Sequence, residues 1–199
     1  LNSILYHTEL VLSELYLEAG EAKLSRDYLK KAENRYNAIN SIFWNAEDAM
    51  YMDYLWTEQA FTGRISAASF YPMYFKAAQQ NYADLQTPTL LQELKNDGGI
   101  LTTPYSSAQQ WDAPNGWAPL QWVAAKGLQH YGFEEEADQI KEGWLSVNQK
   151  VFSTTGKMME KYNVVDTTLL AGGGEYPTQD GFGWTNGIAL AFSKAEAKY

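Results

Sequence analysis

Apolar residues recur along most of the chain at intervals of three and four, the spacing that lines one face of an α-helix. From Leu1 to Leu17 the set is Ile4, Leu5, Val11, Leu12, Leu15 and Tyr16, and Gly20 is placed to end that helix. Leu24, Tyr28, Leu29, Ala32, Tyr36 and Ile39 repeat the pattern in a second helix. Ser66 starts a third, carrying Ala67, Phe70, Tyr71, Tyr74 and Ala78, in which Pro72 is tolerable only within the first turns. Thr87 followed by Pro88 predicts an N-cap and a first helical residue, with Leu90, Leu91 and Leu94 running on to Gly98. Pro119 opens a fifth helix with Leu120, Val123, Ala124, Gly127 and Leu128, closed by Gly132. In the sixth, Glu134, Glu135 and Glu136 suit the positive end of the helix dipole, and Ala137, Ile140, Trp144, Val147 and Val151 share a face. Asn186 caps a seventh through Ile188, Leu190 and Phe192. Strand patterning is confined to Gly99–Thr103 and Lys157–Val165, each fit for a short ribbon.

The connections after the second, fourth and sixth helices are long and rich in aromatic and polar residues, while those between are short. That alternation predicts helical hairpins whose elaborate loops gather at one end, which in a ring of hairpins is the binding face. There is no fixed repeat period and no low-complexity linker, so the chain reads as one domain or one continuous part of a larger domain.

Composition narrows the chemistry. The 199 residues suit a single globular unit. A net charge of −9 and a pI near 4.7 disfavour nucleic acid and anionic lipid as partners. No apolar run approaches the ~20 residues of a membrane span, and the mean hydropathy of −0.42 predicts a soluble chain without a membrane partner. The chain has no cysteine, which excludes disulfides, thiolate nucleophiles and sulfur-ligated zinc, and leaves cytoplasm and periplasm equally open as the compartment. Only His7 and His130, far apart in sequence, could supply imidazole, so no metal and no cofactor is expected. Leu1, Asn2 and Ser3 have no initiator Met, basic region or cleavage site of a signal peptide, as expected of a chain that starts mid-protein or was processed.

Aromatic residues make up 15% of the chain, and many stand beside Gly, Asn, Gln, Asp or Pro rather than in apolar runs. Sugar sites need that mixture: pyranose C–H faces stack on rings, while hydroxyls need amide and carboxylate partners. Gln109 to Pro119 interleaves Gln109, Gln110, Asp112 and Asn115 with Trp111 and Trp117. A purely structural reading of that segment, with Trp117 as a core plug and Asp112 as a cap, stands level with the functional one. Ala171 to Gly187 combines glycines with Glu175, Tyr176, Phe182 and Trp184; no Lys follows the glycines and Glu175 would repel phosphate, so a phosphate loop is excluded. Glu160, within Gly156 to Asn163, reads in isolation as an ordinary solvated carboxylate.

Gln109 to Pro119 resembles the second signature of trehalases, and Gly172 to Gly187 is similar to their glycine-rich motif; Leu1, Asn2, Ser3 and Tyr6 look like the segment after the family's mid-chain catalytic region. The resemblance implies an all-α fold, about half of an (α/α)6 toroid of helical hairpins, with residues 1–199 the C-terminal portion of a single catalytic domain without internal boundary. Seven predicted helices are a little over half of the twelve such a toroid needs. The resemblance further implies inverting hydrolysis of α,α-trehalose to glucose, with Glu160 of the Glu160–Lys161–Tyr162 stretch as general base and Glu175, fifteen positions on, as a substrate-binding carboxylate. Gln110, Trp111 and Trp117 carry over as parts of the sugar site, and Phe182 and Trp184 as its walls. The Gly-Trp-Asp stretch that bears the family's catalytic acid is absent, as are the first signature and the substrate-gripping arginines, so the chain's other partner is expected to be the N-terminal part of the same enzyme. Another (α/α)6 glycosidase, or a non-catalytic helical module that binds sugar or acts as scaffold, are the alternatives.

Overall fold

The computed structural model describes residues 1–169 and 175–196, the last two by their backbone alone. Helix α1 (Asn2–Glu18) turns at Gly20, whose φ of +80° suits a residue without a side chain, and folds back along α2 (Ala22–Ile42). Two small antiparallel hairpins follow: β1 (Trp44–Asn45) with β2 (Met50–Tyr51), and β3 (Tyr54–Leu55) with β4 (Ala60–Phe61). A 3₁₀ turn over Ala67–Phe70, its first free amide bound by the Ser66 hydroxyl, leads into the short α3 (Tyr71–Tyr74). Then come α4 (Gln80–Leu94), a hairpin of β5 (Lys95–Asn96) and β6 (Gly99–Ile100), and β7 (Asn115–Trp117), which runs directly into α5 (Ala118–His130). Helix α6 (Glu134–Thr155) ends at the left-handed Gly156; β8 (Lys161–Asn163) and α7 (Gly183–Glu196) complete the described elements.

Helices α1, α3, α5 and α7 stand as successive neighbours in one row. Helix α2 backs α1, α4 backs the 3₁₀ turn, and α6 backs α5 and α7. The long connections gather where α3, α5 and α7 begin. Between the layers lie Phe70, Met73, Leu90, Leu94, Trp117, Leu128, Ile140 and Trp144, none more than 1% exposed.

Three local expectations are corrected. Thr87 is not an N-cap: α4 starts at Gln80 and continues through Pro88. Its buried face of Ala83, Gln86, Thr87, Leu90 and Leu94 outweighs the proline's cost of about 3 kcal/mol, and Gln86 fastens it by accepting from the Tyr51 amide and donating to the Ser69 carbonyl. The Thr87 hydroxyl turns back instead to the Ala83 carbonyl at 2.8 Å. Helix α3 stops at Tyr74 rather than Ala78, and α7 begins at Gly183, three residues before the expected cap, Asn186, whose side chain donates to the Phe182 carbonyl. The hairpins between Trp44 and Phe61 lack a sequence signal because each strand has only two residues, too few for an alternating pattern.

Gln121, fully buried on α5, accepts from the Ile100 amide and donates to the Ile100 carbonyl, both at 2.7 Å, and so completes the edge of β6. Replacing it with leucine strands two buried backbone groups, and Gln121→Leu is expected to lower the unfolding free energy in urea by about 2–5 kcal/mol.

Two phenols carry a pH dependence. Burial raises Tyr131 from its ordinary value near 10 to about 12, and raises Tyr51 further, while their hydroxyls donate to the Ala78 carbonyl and to Asn40. Both groups are more acidic in the unfolded chain, so their stabilisation is complete below pH 10 and is lost as pH rises through their folded values. Unfolding free energy is expected to fall from about pH 10 upward, with tyrosinate absorbance appearing together with unfolding; phenols titrating freely in a folded chain would contradict this.

Candidate active site

The site is assembled where two distant segments pair. Strand β7 meets β8 antiparallel, with Asn115 opposite Asn163, Gly116 opposite Tyr162 and Trp117 opposite Lys161. One residue earlier the pairing changes: Met159 bridges to Asp180, and the Glu160 amide donates to the Gln179 carbonyl at 2.8 Å. Glu160 therefore sits at a bend between two partners. From the start of α7, the Trp184 indole donates to the Glu160 carbonyl at 3.3 Å and the Thr185 hydroxyl to that of Met159 at 2.8 Å.

Glu160 is 5% exposed, which corrects its reading as a solvated carboxylate. Its Oε2 accepts from Lys161 Nζ at 3.2 Å and its Oε1 from the Tyr176 hydroxyl at 3.0 Å. Lys161 is wholly buried, its ammonium 4.7 Å from the Tyr176 ring centre and 5.6 Å from that of Trp117, distances at which ring quadrupoles attract cations. Desolvation, and then the bond to Glu160, raise the Tyr176 phenol above its ordinary range.

Trp117 is 1% exposed, the core plug of the structural reading, yet Trp111 stacks on it with centroids 3.8 Å apart and planes 8° from parallel. Its other neighbour Trp184 meets it edge-on at 5.9 Å, and Phe182 lies 5.1 Å from Trp184. The outer rings are accessible: Trp111 is 44% and Trp184 38% exposed. Buried Gln110 accepts from the Glu175 amide at 2.9 Å, tying the Gln109–Pro119 segment to the residues after the glycine run, while Glu175 itself is exposed. Asp112 caps a loop rather than α5, accepting from the amide and hydroxyl of Ser107. Gln110, Trp111, Trp117, Glu160, Glu175, Phe182 and Trp184 thus form one connected cluster; Gly172 to Gly174 lie outside the described residues.

Sequence reasoning missed Lys161 and Tyr176. Strand alternation sends consecutive residues to opposite faces, which argues against Glu160 and Lys161 meeting; the signal that could have found them is their adjacency to the two singled-out glutamates. The two histidines, distant in sequence, are brought to one groove of about 420 Å³ between α1, α3 and α5, beside Tyr74, Trp122 and Lys126.

Comparison with known proteins fits this arrangement. The family model described as Trehalase matches residues 1–195. The chain belongs to the trehalase family. It is 43% identical over 190 residues to a periplasmic trehalase of Xanthomonas oryzae and 40% identical to a putative periplasmic trehalase of Escherichia coli, covering 96% of this chain in both cases. It spans about a third of the length of those curated relatives. Among solved structures, the neutral trehalase of Saccharomyces cerevisiae superposes with a TM-score of 0.81 at 27% identity, over 98% of this chain and 37% of that one. A mannosylglycerate hydrolase from Thermus thermophilus, at 20% identity, shares the fold with a TM-score of 0.69 over 44% of its length. The trehalase-family chain is accordingly about half of an (α/α)6 toroid. No helix among the described residues is long and apolar enough to cross a membrane.

A Cβ on Gly116 would lie 2.3 Å from Val164 Cγ1 and 3.1 Å from the Ile100 carbonyl. Gly116→Ala is expected to cost about 1–3 kcal/mol of stability and to speed amide exchange across Lys161–Asn163 in this trehalase-family chain, measured by hydrogen-exchange mass spectrometry; unchanged protection there would show that the junction tolerates the methyl group.

Proposed function

We propose that this chain is the C-terminal part of a single (α/α)6 catalytic domain that hydrolyses α,α-trehalose to two glucose molecules with inversion, Glu160 acting as general base. The observation that carries the reading is a buried carboxylate at the foot of a partly exposed shelf of indoles. A sugar ring stacks on Trp111 and Trp184, its hydroxyls meet Glu175 and Gln110, and Phe182 closes one side. A water beside Glu160 then yields a proton to the carboxylate as its oxygen bonds to the anomeric carbon. The glycosidic oxygen leaves with a proton from an acid on the opposite face of the sugar, roughly 6.5–9.5 Å from Glu160.

That acid is placed in the rest of a longer protein, as are further contacts to trehalose or glucose. The relatives, three times as long as their match to this chain, support this division. So do Ile4, Leu5, Leu15 and Leu17 of α1, apolar residues left exposed that neighbouring hairpins would cover.

Two measurements test the reading. The purified 199-residue chain is expected to show no trehalose turnover, because base and acid act together. In the complete enzyme Glu160→Gln is expected to lower kcat by about 10²- to 10⁴-fold with little change in KM. Glu175→Gln should act chiefly on KM, since it weakens a charge-assisted grip on hydroxyls. Near-normal kcat in Glu160→Gln, with turnover abolished in Glu175→Gln, would mean that the two roles are exchanged.

A further inference from the structure

The contacts of Glu160 go beyond what a general base requires. Each carboxylate oxygen has one donor of its own, Lys161 Nζ on Oε2 and the Tyr176 hydroxyl on Oε1. The two donors come from different segments, one from the first residue of β8, directly after Glu160, and one from the loop that follows the glycine run. Each oxygen keeps a further lone pair for a water.

Lys161 is unusual by its surroundings. A lysine is almost never wholly buried without a partner, and among the described residues the only carboxylate that Lys161 touches is that of Glu160. The contact is between consecutive residues, possible only because the chain bends at Glu160 as it leaves Asp180 and joins Trp117. An ion pair removed from water gains little net stability, so a bend kept for it calls for another explanation. Tyr176 is likewise placed for the carboxylate: its ring covers the ammonium while its hydroxyl reaches Oε1. Among the described residues, the charged and titratable groups around Glu160 are Lys161 at the start of β8, Tyr176 and Glu175 on the loop, and the Lys157–Asp180 ion pair beyond the Met159 bridge; β7 and α7 bring up the indoles of Trp117 and Trp184.

We propose that Lys161 and Tyr176 are positioning residues for the reaction: they clamp the Glu160 carboxylate from both oxygens and fix the direction of its free lone pairs towards the attacking water. This rests on the reading of Glu160 as the general base. Because Tyr176 directly follows Glu175, whose amide is held by Gln110, the clamp also couples the grip on substrate hydroxyls to the orientation of the base.

Tyr176→Phe and Lys161→Met, made in the complete enzyme, test the clamp. Tyr176→Phe removes one hydroxyl from a partly exposed ring, and it is expected to lower kcat about tenfold, the equivalent of one hydrogen bond, with KM for trehalose within about twofold. Lys161→Met should lower kcat further; should it fail to fold, Tyr176→Phe alone decides. In a Glu160→Gln background Tyr176→Phe should bring no additional loss in kcat. A variant pair that leaves kcat unchanged while Glu160→Gln abolishes turnover overturns the clamp and spares the base. Near-normal turnover by Glu160→Gln removes the base itself, and a rise in KM alone makes Tyr176 a substrate contact and also overturns the clamp.

Discussion

Everything at the site depends on how closely two backbones approach beside α5. The three ladder pairs between β7 and β8 join the start of that helix to the connection between α6 and α7, more than forty residues apart in sequence. The approach is close because side chains are missing where they would collide. A Cβ on Gly98 would lie 2.7 Å from Val164 Cα, and one on Gly116 would strike the Val164 side chain and crowd the Ile100 carbonyl. Gln121 fills the remaining gap with an amide that satisfies Ile100 on both sides. Bare backbone in an apolar core is costly unless hydrogen-bonded, so the glycines and the glutamine act as one device: the first permit contact, the second removes its penalty. Register then does the rest, since with Trp117 held opposite Lys161, Glu160 has only the adjoining position to occupy.

What this junction produces is a charge pair buried among indoles in a chain whose net charge is −9. Removing both ions from water costs several kcal/mol for each before their attraction offsets it. The ring faces of Trp117 and Tyr176 return part of that to the ammonium, and the Tyr176 hydroxyl part to the carboxylate. The residue Trp111 plays the opposite role, stacked on the plugged Trp117 yet open on its outer face, so that a rigid, preorganised ring is offered to solvent.

The long helices α1, α2, α5 and α6 were readable from spacing, but only in α5 and α6 is the predicted face, which in α6 is Ala137, Ile140, Trp144, Val147 and Val151, wholly buried; α1 buries Ser3, Glu9 and Ser13 and leaves Ile4, Leu5 and Leu15 of its apolar set exposed. Thr87–Pro88 misled because a local helix-start signal was overruled by a buried face whose partners, Tyr51 and Ser69, lie 36 and 18 positions upstream of Thr87. The aromatic residues of the site were readable through their polar company, and the identity of Glu160 and Glu175 through family motifs. The burial of Glu160 was not, because it arises from a bend between two strand partnerships that no window of sequence contains. The same holds for Lys161, which alternation places on the wrong face, and for the meeting of His7 with His130 in one groove, which follows from the row of α1, α3 and α5.

The arrangement also separates two demands that conflict. Recognition of a sugar needs rings and amides open to solvent, whereas proton transfer gains from a carboxylate shielded from it and held in a fixed direction. Here the exposed group, Trp111, Trp184, Glu175 and Tyr176, comes from one loop before α5, the residues after the glycine run and the first turn of α7. The shielded group, Glu160, Lys161 and Trp117, comes from the two paired strands and the bend just before β8. Tyr176 belongs to both, with a partly exposed ring and a hydroxyl on the buried carboxylate. The exposed segment that carries Glu175 and Tyr176 therefore also touches a carboxylate oxygen of the buried Glu160. On the reading of Glu160 as general base, that contact ties the segment that would meet a sugar to the group that would take a proton from water.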